Sequence, residues 1–260
     1  MEQRERVLIV SVQTTQTDED FAYANQELAQ LVDTAMGEVV ATVTQKRESI
    51  SGRTLVGKGK VEEISHLVDE LEVDLVVFYQ SLTGSMVKNL NESISCRIID
   101  RVQLILDIFA MRARSKEGKL QVQLAQLNYL LPRLSGQREG LSRQGGGIGT
   151  RGPGETRLET DRRYIRKQIQ DIEEQLEQIK KHRERSREKR KSSNGFQLGL
   201  IGYTNAGKST ILNQLTHAGT YQMDQLFATL DPLTRQVDLF PNFEVTLTDT
   251  VGFIQELPTT

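Results

Sequence analysis

The sequence predicts an α/β chain in three parts: an amino-terminal parallel α/β domain over residues 1–113, an antiparallel, coiled-coil-like helical hairpin over 114–195, and an incomplete α/β domain over 196–260. Three observations predict it. Short apolar runs alternate with helical patterns through the first hundred residues. Two later segments carry apolar seams at alternating steps of four and three. A glycine loop, Gly202 to Ser209, then stands between an apolar run and a helix pattern.

In the first part the apolar runs are Val7–Val10, Val39–Val43, Leu75–Tyr79 and Ile98-Ile99. Between them Phe21, Ala24, Leu28, Leu31 and Ala35 fall at helical spacing, as do Val61, Ile64, Leu67, Val68 and Leu71. Near-continuous apolar strands separated by amphipathic helices predict a parallel sheet covered on both faces. Gly37 sits where a helix C-cap belongs. Val56-Gly-Lys-Gly-Lys60 precedes a helix pattern and reads as a tight turn or as a phosphate loop. Against the second reading, it lacks the length and the Ser/Thr of a P-loop.

In the second part Leu120, Leu124, Leu127, Leu131 and Leu134 form one seam. Ile165, Ile169, Ile172, Leu176 and Ile179 form the other, with Leu158 one heptad earlier. Two seams joined by one connector predict an antiparallel hairpin, and Thr156 with Glu159 is spaced as a capping box for the second helix. The connector 135–155 has 21 residues, eight of them glycine, where helix–helix links are usually a few residues long. Arg138, Arg143 and Arg151 are interspersed in it, with Arg133 and Arg157 at its shoulders. Flexible amides and guanidinium forks at the tip of an arm suit a folded RNA, and a flexible linker is the competing reading. No aromatic lies within the loop, so base stacking would fall to arginine. Lys180–Lys191 is almost entirely charged, and Ser192–Gly195 reads as a hinge.

The third part carries the chemistry. Gly202-Tyr203-Thr204-Asn205-Ala206-Gly207-Lys208-Ser209 reads G-x-x-x-x-G-K-S, the loop whose amides wrap a nucleotide's phosphates at a helix N-terminus. Lys208 would neutralise phosphate oxygens, and the Ser209 hydroxyl would hold Mg²⁺. Ser209–Leu212 opens a helix with Ile211, Leu212 and Leu215 as its apolar residues. Thr234–Phe240 and Phe243–Asp249 alternate apolar and polar residues around Pro241-Asn242 and predict a hairpin. Its second strand ends in Asp249-Thr250-Val251-Gly252, where a carboxylate reaches the metal's water shell and a glycine N–H reaches a γ-phosphate. Phe227-Ala228-Thr229-Leu230-Asp231 leads into Pro232 as a loop. Its Thr229 either joins the metal and γ-phosphate or simply sits in a turn.

The runs Gly202 to Pro258, Ser51 to Lys60, Asp100 to Asp107 and Leu141 to Glu155 together resemble the HflX family of translational GTPases. The resemblance implies nucleotide contacts at Gly202–Ser209, Phe227–Asp231 and Asp249–Gly252, with Ser209 and Thr229 on Mg²⁺ and with Lys208, Thr229 and Asp249 carrying GTP hydrolysis. It also implies that the hairpin and its Gly/Arg loop, with Arg138, Arg143 and Arg151, reach ribosomal RNA of the large subunit, in splitting or rescuing stalled ribosomes; a monomer is expected. An N-K-x-D that reads guanine is not among these residues, so the third part is expected to be an incomplete P-loop GTPase domain, inactive alone. The residues themselves leave an ATPase, or an RNA-binding module that only senses nucleotide, as alternatives. Phe253 stands where many GTPases place a water-orienting Gln and cannot hydrogen-bond. Asn205 either helps hold K⁺ beside the phosphates or stabilises its turn.

Composition sets the outer bounds. Residues 1–100 carry net −8, 101–195 net +10 and 196–260 net −4, so a basic middle lies between acidic ends and suits a polyanionic partner or a well-solvated helical surface. The single cysteine, Cys96, excludes an internal disulfide. The absence of a signal-peptide profile or a membrane-length apolar stretch makes the cytoplasm, with association to ribosomes, the expected location.

Overall fold

A computed structural model describes residues 4–50, 52–134, 153–191, 196–216, 226–240 and 243–254, of which 153–158, 187–191, 238–240 and 243–244 are described by backbone alone. The chain divides into two compact units, one of Met1–Asp107 with Gln126–Ile169 and one of Ile108–Ala125 with Gln170–Thr260.

The first unit is built on a four-stranded parallel sheet of β1 (Glu5–Gln13), β2 (Gly37–Lys46), β3 (Leu75–Phe78) and β4 (Arg97–Asp100), in the order β2-β1-β3-β4. The crossovers carry α1 (Asp18–Thr34), α2 (Lys58–Glu70) and α3 (Gly84–Asn91). Leu8, Val10 and Val12 of β1 join a core with Val61, Ile64 and Val68 of α2 and Met86 and Leu90 of α3. Val7 and Ile9, on the opposite face, are equally buried. Burial on both faces is why β1 and β3 read as unbroken apolar runs. The register of β1 on β2 shifts between Val7 and Leu8, which pair with Val39 and Ala41 and leave Val40 as an extra residue.

Two local expectations are corrected here. The residue that closes α1 in the left-handed region is Met36 (φ 65°), not Gly37. Gly37 instead opens β2, where a Cβ would lie 2.8 Å from Val32 Cγ1 and 3.0 Å from Val7 Cγ2. Close approach of helix and strand, rather than turn geometry, requires that glycine. The sequence reading also passed over α3, whose N-cap is Thr83, its hydroxyl accepting from Met86 N at 3.3 Å. In the Val56–Lys60 segment Gly57 is the N-cap of α2 and Lys58–Lys60 is its first turn.

Among the described residues of this unit, Glu27, Asp100 and Arg101 are buried charged groups. Arg101 donates to Glu27 at 2.6 Å and lies 5.3 Å from the Tyr79 ring. Asp100 accepts from Leu82 N and Gln103 N at 2.9 and 3.0 Å, and from Arg133 at 3.2 Å. Arg133 also packs on Tyr129, 3.4 Å from the ring centroid. Burial, then the Asp100 charge, push the Tyr129 hydroxyl far above its ordinary pKa. Arg133, expected at a shoulder of the Gly/Arg connector, is therefore spent on an internal carboxylate.

Three helices follow β4: α4 (Arg101–Arg112), α5 (Lys116–Arg133) and α6 (Pro153–Lys191). Along α6 Ile165 and Ile172 are buried, with Ile169, Leu176 and Ile179 half-buried, so the isoleucine seam faces inward. On α5 the seam leucines Leu120, Leu124, Leu127 and Leu131 are half-buried around a buried Val122. Glu117 in the first turn of α5 accepts from Arg183 late in α6 at 3.0 Å, the sense an antiparallel pair requires. Because α6 starts at Pro153, Thr156 is inside the helix and is not its cap; proline suits a first helical position, where no N–H is needed. Arg138, Arg143 and Arg151, with connector residues 135–152, lie outside the described residues.

The second unit holds a three-stranded sheet of β5 (Phe196–Leu200), β6 (Leu233–Phe240) and β7 (Phe243–Asp249), in the order β5-β7-β6. The strand β7 runs parallel to β5 and antiparallel to β6, as the hairpin pattern predicts. Its core is Leu212 of α7 (Lys208–Thr216) with Val237, Val245 and Leu247. Of the apolar residues expected on α7, only Leu212 is buried; Ile211 and Leu215 are exposed.

Candidate nucleotide site

The site is assembled where β5 and β7 end side by side. Between β5 and α7 the chain turns through Asn205 (φ 59°) and Gly207 (φ 80°), two residue types that tolerate the left-handed region. Lys208 Nζ folds back over this loop and donates to Tyr203 O at 2.6 Å. Burial lowers the Lys208 pKa, and the attraction of Asp249 only partly opposes it.

At the end of β7, Asp249 is 1% exposed. Its Oδ2 accepts from Ser209 Oγ at 2.7 Å and from Thr229 Oγ1 at 3.0 Å, and the two hydroxyls are 3.0 Å apart. Its Oδ1 is buried with no hydrogen-bond partner. Two hydroxyls, a carboxylate and an orphaned carboxylate oxygen make an all-oxygen donor set, which fits a hard divalent cation such as Mg²⁺. No cluster of three or more His, Cys, Asp or Glu occurs among the described residues.

The segment after β7 rides on the phosphate loop. Thr250 Oγ1 donates to Leu200 O at 2.6 Å. Thr204 N donates to Phe253 O at 2.8 Å, and Phe253 N to Gly202 O at 3.1 Å. A Cβ on Gly252 would lie 2.6 Å from Thr204 Cα, so only glycine permits this approach. The Phe253 side chain is 47% exposed.

The fold thus gathers the 202–209 loop, Thr229 and Asp249–Gly252 in one place. It does not bring the whole of 227–231 there. Ala228 is exposed and Leu230 half-buried. Phe227 is 1% exposed, its ring edge-on to Phe109 at 4.7 Å. The Asp231 carboxylate accepts from the backbone N–H groups of Arg114 and Ser115, each at 2.8 Å, and from the Ser115 hydroxyl. Phe109 and Ser115 escaped the sequence reading. The available signal was Ser115 itself, a favoured N-cap residue directly before the helical run from Lys116.

Residues 22–110 match a family described as GTP-binding GTPase N-terminal, 112–190 the GTP-binding GTPase Middle Region, and 197–259 the 50S ribosome-binding GTPase. A relative from Alkalihalophilus pseudofirmus named GTPase HflX is 60% identical over 256 residues, covering 98% of this chain and 60% of its own length. The chain belongs to the HflX family. The Escherichia coli protein named GTPase HflX is 46% identical over 254 residues, with 98% and 59% covered. The HflX-family chain thus spans about 60% of the length of these relatives. Among solved structures, the SsGBP and GDP complex is 25% identical with a TM-score of 0.56, covering 97% of this chain and 64% of that one. The HflX-family chain therefore shares its fold with a protein solved with GDP. No helix among the described residues is long and apolar enough to cross a membrane.

Proposed function

We propose that the protein is a Mg²⁺-dependent GTPase that binds the large ribosomal subunit and acts in splitting or rescuing stalled ribosomes, as a cytoplasmic monomer. The observation that carries the reading is the convergence of Ser209, Thr229 and Asp249 within 3.0 Å of one another at the mouth of the 202–209 loop. The relatives named GTPase HflX and the family described as 50S ribosome-binding GTPase support the substrate and the partner. We divide the chain into an α/β domain (1–113), a helical arm (114–195) and a nucleotide domain (196–260).

In this reading the amides of Gly202–Ser209 cradle the phosphates, and Lys208 leaves Tyr203 O to pair with their oxygens. Ser209 and Thr229 would hold Mg²⁺, with Asp249 in support; when bound, the ion offsets negative charge on the phosphates. Gly252 offers its N–H to the γ-phosphate. Phe253 cannot orient a water, so hydrolysis is slow until the large subunit docks. Asn205 would help hold K⁺ next to the phosphates. The basic arm, through Arg138, Arg143 and Arg151, meets ribosomal RNA.

The test is GTP turnover by full-length protein with and without large subunits, in KCl or NaCl, and with ATP in place of GTP. Turnover that is slow alone, rises with subunits, prefers K⁺ and ignores ATP supports the reading. Fast turnover without subunits removes the partner requirement, and equal rates in the two salts remove the K⁺ role. Replacing Arg138, Arg143 and Arg151 with Ala should weaken subunit binding and flatten its salt dependence, because phosphate contacts release counterions.

A further inference from the structure

The loop 227–231 touches the site through one residue and is fastened elsewhere by the two at its ends. Thr229 Oγ1 lies 3.0 Å from both Ser209 Oγ and Asp249 Oδ2. Two residues before it, Phe227 adopts φ 54° with its ring buried edge-on to Phe109. A bulky residue persists in that region of backbone space only where its surroundings over-determine it. Two residues after Thr229, Asp231 is gripped by Arg114 N, Ser115 N and the Ser115 hydroxyl.

The Asp231 grip is built into the start of α5. Ser115 Oγ accepts from Gly118 N at 2.9 Å, so the same hydroxyl caps the helix and donates to Asp231. Gly118 is buried in the first turn of the helix, where glycine is a poor helix former. Its use here is space: a Cβ would lie 2.5 Å from Asp231 Oδ1 and 3.0 Å from Ser115 Oγ. Burial raises the Asp231 pKa, but the hydrogen bonds from Ser115 and Arg114 outweigh it and hold the carboxyl below its ordinary value.

We infer that Phe109, Ser115 and Gly118 are positioning residues for Thr229. They pin both ends of the 227–231 loop so that one hydroxyl stays at Ser209 and Asp249. The inference rests on the proposed reading of Thr229 as the residue that senses the triphosphate. One residue separates Thr229 from each anchor, and a residue spans at most about 3.6 Å, so Thr229 cannot travel far unless an anchor lets go. The coupling is reciprocal: whatever displaces the first turn of α5 lowers triphosphate affinity, and triphosphate binding holds that turn in place.

Gly118→Ala tests this, because it adds one methyl where Asp231 sits and removes nothing. Affinities of the full-length protein for GTP and GDP would be measured with fluorescent nucleotides in Mg²⁺, alongside melting temperature and the Thr229→Ala variant. The expected result is a GTP-over-GDP ratio lowered by about fivefold or more, with the melting temperature lowered only modestly, since alanine's helix preference offsets part of the lost Asp231 bonds. Ser115→Ala should lower the ratio likewise and Ser115→Thr restore it, which gives a second reading if Gly118→Ala folds poorly. In a Thr229→Ala background neither change should add anything. If Thr229→Ala lowers the ratio and Gly118→Ala and Ser115→Ala do not, the positioning role is overturned and the site reading stands. Additive effects, or equal losses for GTP and GDP, overturn the positioning role as well. A Thr229→Ala variant that keeps its ratio overturns the site reading itself, and the inference with it.

Discussion

Ser209 Oγ donates to Asp249 Oδ2 across 2.7 Å, joining the first turn of α7 to the last residue of β7. A hydroxyl has one proton and two lone pairs, so in the proposed site Ser209 would keep donating to Asp249 while a lone pair faces the cation. Both Ser209→Ala and Thr229→Ala should therefore weaken Mg²⁺-dependent triphosphate binding. For Thr229→Ala the loss should be greater for triphosphate than diphosphate, by about 1–3 kcal/mol, read by calorimetric titration with each nucleotide. An unchanged triphosphate preference would remove Thr229 from the site.

Glu27 and Arg101 are 8% and 4% exposed. Taking away one member of such a pair leaves the other charge buried without its counter-charge, at about 3–5 kcal/mol. Glu27→Gln should show this loss in urea denaturation. The double change Glu27→Leu with Arg101→Met should cost less than Glu27→Gln alone; a cost equal to the sum of the single changes would show that the pair is not coupled.

Gly252→Ala sets a Cβ against the Thr204 backbone, which cannot swing aside as a side chain can. The pairing of Phe253 with Gly202 and Thr204 must open, at about 1–3 kcal/mol. Faster hydrogen exchange at the Thr204 and Phe253 amides, with weaker nucleotide binding, is the expected observation. Unaltered protection would mean that the two segments are not held together in solution.

Burial pushes the Cys96 thiol above its ordinary pKa, with hydrogen bonding at the Val76 backbone opposing it only in part. The thiolate is the reactive form, so alkylation at pH 7.5 should be slower in the folded chain than in urea. The sign for stability follows: the folded state holds this proton more tightly, so stability falls as pH rises past about 8.5. Alkylation at equal rates in the two states would contradict the assigned environment.

What the sequence revealed tracks how local each cause is. The strands β1 and β3 were legible because Val7–Val10 and Leu75–Phe78 are buried on both faces, and the β6–β7 hairpin because Val237, Val245 and Leu247 alternate. That the 202–209 loop and Asp249–Gly252 belong together was legible from motif spacing, whereas Thr229 was chosen over a plain turn residue only through the family resemblance. The helix α3 was missed because Gly84, Ser85, Asn89 and Asn91 are weak helix formers held by a Thr83 cap and by Met86 and Leu90 in the core. The partners of Phe227 and Asp231 were out of reach, since Phe109 and Ser115 lie more than a hundred residues earlier and no periodicity announces them.

The extra residue at Val40 also bears on how the chain avoids its own copies. Among the described residues no strand pairs with the outer side of β2, and a flat edge of that kind is a template for growth by addition of further strands. The irregularity between Val39 and Ala41 breaks the even repeat such a template needs, and Glu38 and Lys46 place charge near its two ends. An irregular pairing that looks like a flaw in the sheet thus makes this edge a poorer template for adding strands than a regular one would be.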